Sequence, residues 1–383
     1  MKEQGARSKG QVTPPGLPLK GRRKPRPLRE RLERVFSIFN FQLSIINYQF
    51  LIITGLILAT LLLFALSLYR GSVTIPASAI TDILLGHGSA DHPSWQYIIL
   101  ENRLPQAVTA VLCGASLAVS GLLLQTAFRN PLAGPSVLGI DSGAHLGVAL
   151  VILAAGGSMT TGTLTLGGFT LVILAALVGA LTVMAVLLLL SRVLQNNVML
   201  LIAGMMVGYI ASSMISLLNF RATAEGIHAM TLWGMGSFSS VSLDRLPWLM
   251  GISMAGLTLS VLLVKPLNAL LLGDNYARNL GISITRTRTL LLFTTGLLTA
   301  SSTAFCGPIA FVGLAVPHIA RLLLGSANHR VLLPATLLTG STLALLCNLI
   351  STLPGESGVI PINVITPIIG APVVLWVILR LEK

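Results

Sequence analysis

Apolar stretches of about 20 residues recur from residue 49 to residue 380, and nothing else in the sequence constrains the fold as strongly. Each is long enough to cross a hydrocarbon core of roughly 30 Å as a helix. Only 10% of the residues are charged and the mean hydropathy is +0.84. A water-facing globule carries roughly 25% charge, so the polar groups needed to wet a surface are missing. No ten-residue alternation of a membrane barrel appears, which leaves helices. The expected fold is all-α, a polytopic membrane protein with about ten spans. They lie near 49–69, 104–125, 137–156, 166–191, 197–219, 246–264, 288–305, 308–324, 331–352 and 361–380.

Ten crossings put both termini on one side. Eleven of the 25 basic residues lie between Lys2 and Arg34. Residues 1–47 are therefore expected to form a disordered basic arm against anionic cytoplasmic headgroups, with no nucleic-acid role. The first apolar run starts too far along, and lacks the small-residue cleavage site, for a secretory signal. Beyond the arm, ten basic residues fall on the arm's side and only Arg70, Arg103, Arg221 and Arg245 fall opposite, in keeping with the positive-inside rule. Both termini are expected to be cytoplasmic.

Small residues at G-x-x-x-G spacing, Gly143–Gly147 and Gly204–Gly208, are expected to pack helices within the bundle. Cys113, Cys306 and Cys347 show no ligand spacing and read as packing residues, so no metal site is expected. No Asp, Glu, Lys or Arg falls at the middle of a span. Asp141 and His145, one turn apart and placed near the inner end of the third span, come closest. They could form a hydrogen-bonded structural pair, a gate or substrate contact at the inner mouth, or a proton relay. An ion-coupled carrier would need more intramembrane charge than this. No Walker A loop and no catalytic constellation is present, so any ATP hydrolysis belongs to another subunit and no cofactor or catalytic residue is expected.

Five segments in order resemble the FecCD-type (BtuC-like) permeases. They are "RLPQAVTAVLCGASLAVSGLLLQTAFRNPLAGPSVLGIDSGA" (103–144), "WGMGS" (233–237), "LLGDNYARNLGI" (271–282), "GPIAFVGLAVPHIARLLLGSANHRVLLP" (307–334) and "PINVITPIIGAPVVLW" (361–376). The resemblance implies a ten-helix permease bundle over 48–383, in a bacterial inner membrane. It implies a homodimer with two cytoplasmic ATPase subunits and an extracytoplasmic binding protein. The substrate class it implies is a chelated small molecule: an iron–siderophore, with vitamin B12 or haem as alternatives.

Residue by residue, the resemblance makes the loop near 265–287 the contact with the ATPase. Leu272, Gly273, Asp274, Ala277, Arg278, Leu280 and Gly281 are the residues concerned. Leu272, Ala277 and Leu280 are expected to present an apolar face, and Asp274 to pair with Arg278 across one turn or reach the partner. Ala277→Trp is then expected to spare folding and overfill the ATPase cleft. Arg103 is expected either to dock the binding protein, alone, because Gln106 stands where the family carries a second arginine, or to anchor the helix in headgroups. Asn328 likewise stands where Asp is usual. In 307–325, Pro317 is expected to bend the eighth span, His318 to be a satisfied packing residue, and Arg321 to snorkel to headgroups.

Overall fold

The computed structural model describes residues 28–71, 73–86, 92–154, 166–194, 196–352 and 360–381. The chain divides into two units, Met1–Asn47 and Tyr48–Lys383. Among the described residues fifteen α-helices follow in order: α1 (Leu28–Tyr69), α2 (Ala77–Leu84), α3 (Pro93–Tyr97), α4 (Leu104–Phe128), α5 (Ile140–Ala154), α6 (Leu166–Val193), α7 (Asn197–Phe220), α8 (Ala224–Gly234), α9 (Leu246–Leu262), α10 (Val264–Leu271), α11 (Asp274–Asn279), α12 (Ile284–Cys306), α13 (Val312–Leu324), α14 (His329–Ser351) and α15 (Ile362–Leu381). Among the described residues there is no strand. Of the arm expected to be disordered, 28–47 are helical; residues 1–27 lie outside the described residues.

Every expected span contains a helix, but the spans are not alike. Six helices are long and apolar enough to cross a membrane alone, and α9 with α10 forms a further span bent by 49°. The remaining three, α5, α13 and α15, are shorter apolar helices. For two of them the reason is visible. Residues 129–139 enter the bundle as irregular chain with one 3-10 turn at Ser136–Leu138, so α5 starts late. Residues 307–311 are also non-helical, with Gly307 and Phe311 at positive φ, so the eighth span begins at Val312 rather than near 308. The two irregular stretches meet around a small cavity lined by Pro135, Ser136, Ala310 and Phe311.

Irregular backbone at membrane depth must find its partners within the protein. Asn363 of α15 supplies them. Its Oδ1 accepts from Ala310 N at 3.0 Å, and its Nδ2 donates to the carbonyls of Pro308 at 2.6 Å and Gly234 at 3.1 Å. One side chain thus ties α15, α8 and the break before α13.

The hub of the second unit is α4, buried along most of its length and packed by α9, α12, α13 and α14. Apolar character cannot hold helices together in lipid, so close backbone approach and polar ties must. A Cβ on Gly114 would strike the Gly340 carbonyl of α14, and one on Gly121 would strike Gly313 of α13. Gly143 and Gly147 of α5 meet Gly179 and Ala175 of α6, and Gly204 and Gly208 of α7 meet Leu138 and Gly139. These G-x-x-x-G pairs pack inside the bundle, as expected. Polar ties add direction: Gln106 donates to Asn348 at 2.8 Å, and Ser341 donates to the Val111 carbonyl at 3.0 Å.

The opening of α4 to α14 predicts an asymmetry among glycines. Gly114→Val should remove most of the monodisperse, folded protein recovered in detergent. Gly251→Ala on α9, where a new Cβ meets nothing within 4 Å, should leave recovery and thermal stability unchanged or slightly raised, since alanine favours a helix over glycine by roughly 1 kcal/mol. Size-exclusion profiles and melting curves of the two variants check this.

Candidate functional site

At the end of the bundle where α4 finishes, α10 and α11 form a compact elbow between α9 and α12. Gly273 (φ +112°) separates α10 from α11 and Gly281 (φ +79°) follows α11. Both are conformations that side chains with a Cβ rarely adopt. No other group lies within 4 Å of where a Cβ would stand, so backbone geometry alone requires glycine there.

The Asp274 carboxylate anchors the elbow. It accepts from Arg129, the residue that ends α4, through Oδ1, and from Arg288 in the first turns of α12 through Oδ2 at 3.0 Å. Arg129 also donates to the Leu270 carbonyl at 3.3 Å. A carboxylate offers two oxygens to two guanidinium groups, and here they come from different helices. The expected Asp274–Arg278 pair does not form; Arg278 is exposed. Asp274 sits at the first position of α11, which turns its side chain back toward α4 and α12 and away from Arg278.

Ala277 is also on the inner side of α11. It is 0% exposed and packs in the core, so it does not belong to the presented face. That face consists of Leu272 at 65% exposed, Tyr276 at 51% and Leu280 at 58%. The 276/280 spacing of four puts the last two on one side of the turn. Tyr276 was legible from that spacing; Arg129 and Arg288, far away in sequence, were not. Beside this face, a groove of about 610 Å³ runs past Leu271, Ile282, Lys265 and Arg330.

Behind the groove, Asn328 caps α14 by accepting from Arg330 N at 3.0 Å and from Asn268 Nδ2 at 2.8 Å. The Asn268 oxygen accepts from His329 N at 2.8 Å, and the other side of the His329 ring meets Thr126 at 2.9 Å. A carboxamide at 328 thus joins α10 to α14 without any charge pair. Arg321 does not snorkel: its Nη1 donates to Gln125 Oε1 at 2.7 Å, tying α13 to α4. His318 is satisfied, as expected, by the Pro131 carbonyl at 2.8 Å.

Asp141 and His145, expected at the same end as the loop near 265–287, lie away from the elbow. Asp141 accepts from Thr303 at 2.7 Å. Thr303 stands about 22 Å along α12 from Arg288 at 1.5 Å per residue, toward the opposite end. The misplacement follows from the late start of α5. His145 meets the Trp233 ring edge-on at 5.3 Å between centroids and does not bond Asp141. At that opposite end, Arg103 is only 6% exposed. Its guanidinium donates to the carbonyls of Leu68 at 2.9 Å, Tyr69 at 3.3 Å and Val73. It braces the chain leaving α1, so its charge is not presented as an exposed ion pair would be.

The chain as a whole has known counterparts. The sequence profile of the FecCD transport family matches residues 57–380. The chain belongs to the FecCD transport family. Among relatives, the vitamin B12 import system permease protein BtuC of Klebsiella pneumoniae is 38% identical over 285 residues, 74% of this chain and 83% of that one. The protein of the same name from Escherichia coli O9:H4 is 34% identical over 291 residues, 76% of this chain and 86% of that one. A solved structure of a metal-chelate type ABC transporter in an inward-facing conformation shares 31% identity at a TM-score of 0.73, covering 87% of this chain and 99% of that one. This FecCD protein is therefore a membrane permease of the ABC importer type.

The burial pattern of α11 gives a test within the permease alone. Ala277→Trp should lower its melting temperature in detergent, because overfilling a packed site costs about 1–3 kcal/mol. Tyr276→Trp, on the exposed side, should leave it unchanged. The opposite order would place Ala277 outward.

Proposed function

We propose that this FecCD permease pairs with a second copy, accepts an intact metal chelate from an extracytoplasmic binding protein, and passes it through the inner membrane when two cytoplasmic ATPase subunits bind ATP. The observation that carries the reading is the elbow: a glycine-bounded helix presenting Leu272, Tyr276 and Leu280 to solvent while Asp274 grips α4 and α12. A short helix so built can receive a push and pass it to the hub. The ends follow from charge: the elbow side, with Arg129, Arg278, Arg288 and Arg330, is the cytoplasmic side.

Cobalamin is the first candidate substrate, since the relatives of known name import vitamin B12; an iron–siderophore is the second. Either is a bulky chelate whose metal needs no charged intramembrane ligand, and no group of metal-binding residues occurs among the described residues. The pathway face we assign is that of α7. It exposes Tyr209 and Ser213 among Met206, Ile210, Met214 and Leu217 along one groove. Hydroxyls have no use against lipid and do against a wet lumen. Asp141 and His145, beside α8, serve as a gate at that depth. Arg103 acts in docking through the shape of the turn it braces.

Proteoliposomes containing the permease, its ATPase and its binding protein test the whole reading. Labelled cobalamin should enter with ATP inside the partner compartment, and free cobalt or ferric ions should not. Uptake of neither chelate, or uptake driven by a proton gradient without ATP, would overturn it. Tyr276→Ala combined with Leu280→Ala should weaken ATPase association at least tenfold, each truncation removing roughly 1–3 kcal/mol of apolar burial, with the permease fold intact.

A further inference from the structure

Arg245, at the start of α9, has a side chain only 16% exposed. Its guanidinium carbon lies 4.4 Å from the centroid of the Phe169 ring, which fixes it by a cation–π contact. The Asp244 carboxylate approaches no closer than 3.9 Å. Among the described residues no acceptor reaches hydrogen-bond distance of the guanidinium N–H groups. A largely covered guanidinium whose donors meet no acceptor among the described residues is suited to an outside acceptor.

Beneath it lies an apolar trough. Both α6 and α9 pack on α12, and the crevice between them, of about 370 Å³, is lined by Ile173, Leu174, Leu177, Trp248, Ile252 and Phe305, with Thr170 the one uncharged polar side chain beside them. From Arg245 to Ile252 it runs about 10 Å along α9, the reach of the first methylenes of an acyl chain. Trp248, 72% exposed, stands one turn from the mouth, where indole rings favour the headgroup layer. Asp244, with a side chain 61% exposed, puts an anion beside the cation. The mouth thus carries one charge of each sign above an apolar slot.

We propose that this crevice binds one phospholipid with a phosphoethanolamine headgroup. Its phosphate takes the free donors of Arg245, its ammonium meets Asp244, and the upper part of one acyl chain lies between α6 and α9. A purely anionic headgroup would satisfy Arg245 and leave Asp244 opposed. A quaternary ammonium would bring charge without N–H donors. The proposal stands apart from the transport reading, because the crevice uses no residue of the elbow or of the α7 groove.

The full-length chain, purified in its assembled complex and depleted of lipid in mild detergent, would be titrated with phosphatidylethanolamine, phosphatidylglycerol and phosphatidylcholine, with bound lipid counted by native mass spectrometry. The expected result is one phosphatidylethanolamine per permease chain, retained over the other two. Arg245→Gln should cut that retention about tenfold, the scale of a lost charge-assisted bond. Asp244→Asn should lower the preference over phosphatidylglycerol by about three- to fivefold, the scale of an exposed charge contact. Ile252→Trp should displace the lipid by filling the slot with the charges intact. Equal retention of the three lipids by the wild type overturns the proposal, as does unchanged retention in Arg245→Gln. If Arg245→Gln does not fold, unchanged selectivity in both other variants overturns it equally. Weaker capture of the binding protein by Arg245→Gln, with lipid retention unchanged, would assign Arg245 to a protein partner instead.

Discussion

Where α4 crosses the start of α13, Gly121 and Gly313 meet backbone to backbone, and any side chain at 121 would collide with a carbonyl. The rest of the permease depends on approaches of this kind. Lipid tails are as apolar as the helices, so the bundle gains little from hiding leucine. It gains from dispersion contact at short range, and only glycine and alanine permit that range. The same contact repeats between Gly114 and Gly340 and between Gly147 and Ala175, and it makes α4 a post around which the other helices are set.

A rigid post matters because two of its neighbours are incomplete. The stretches before α5 and α13 enter the bundle with little α-helical hydrogen bonding, and side chains take up their polar groups: His318 at the Pro131 carbonyl, Asn363 at Pro308 and Ala310. Irregular chain of this sort can shift with less disruption than a full helix. The Asp274 carboxylate joins the elbow to α4 and to α12 together, so displacement of α11 must be felt by the post and by the helix whose far end carries Thr303, against Asp141. On the proposed reading, coupling and pathway are linked through α12, not through the short loop alone.

Much of this was legible in the sequence. Span number and order followed from apolar length, and the inward use of Gly143–Gly147 followed from spacing. The elbow was found because Gly273 and Gly281 bracket a short polar helix. What failed has a common cause. Asp274, Arg129 and Arg288 meet only because the end of α4, α11 and the start of α12 come together, and local pattern carries no information on that. Ala277 was assigned outward because a six-residue helix is too short for its periodicity to reveal a buried side. Asp141 was misplaced because irregular chain after Arg129 consumes depth that a hydropathy window reads as helix. Arg321 and Arg103 look like surface charges in sequence; both are turned inward by acceptors from other segments, Gln125 in one case and the carbonyls around Tyr69 in the other.

On the proposed reading, Asp274 transmits motion between the elbow and the bundle through its two arginine contacts. The direct measurement is the amount of chelate carried per ATP hydrolysed by the reconstituted complex, compared between the wild type and Asp274→Asn. Asparagine keeps the size and one acceptor but loses the charge that holds two arginines. The account predicts that the variant folds, binds its ATPase and hydrolyses ATP while the ratio falls severalfold. An unchanged ratio, with hydrolysis and uptake both intact, would contradict it.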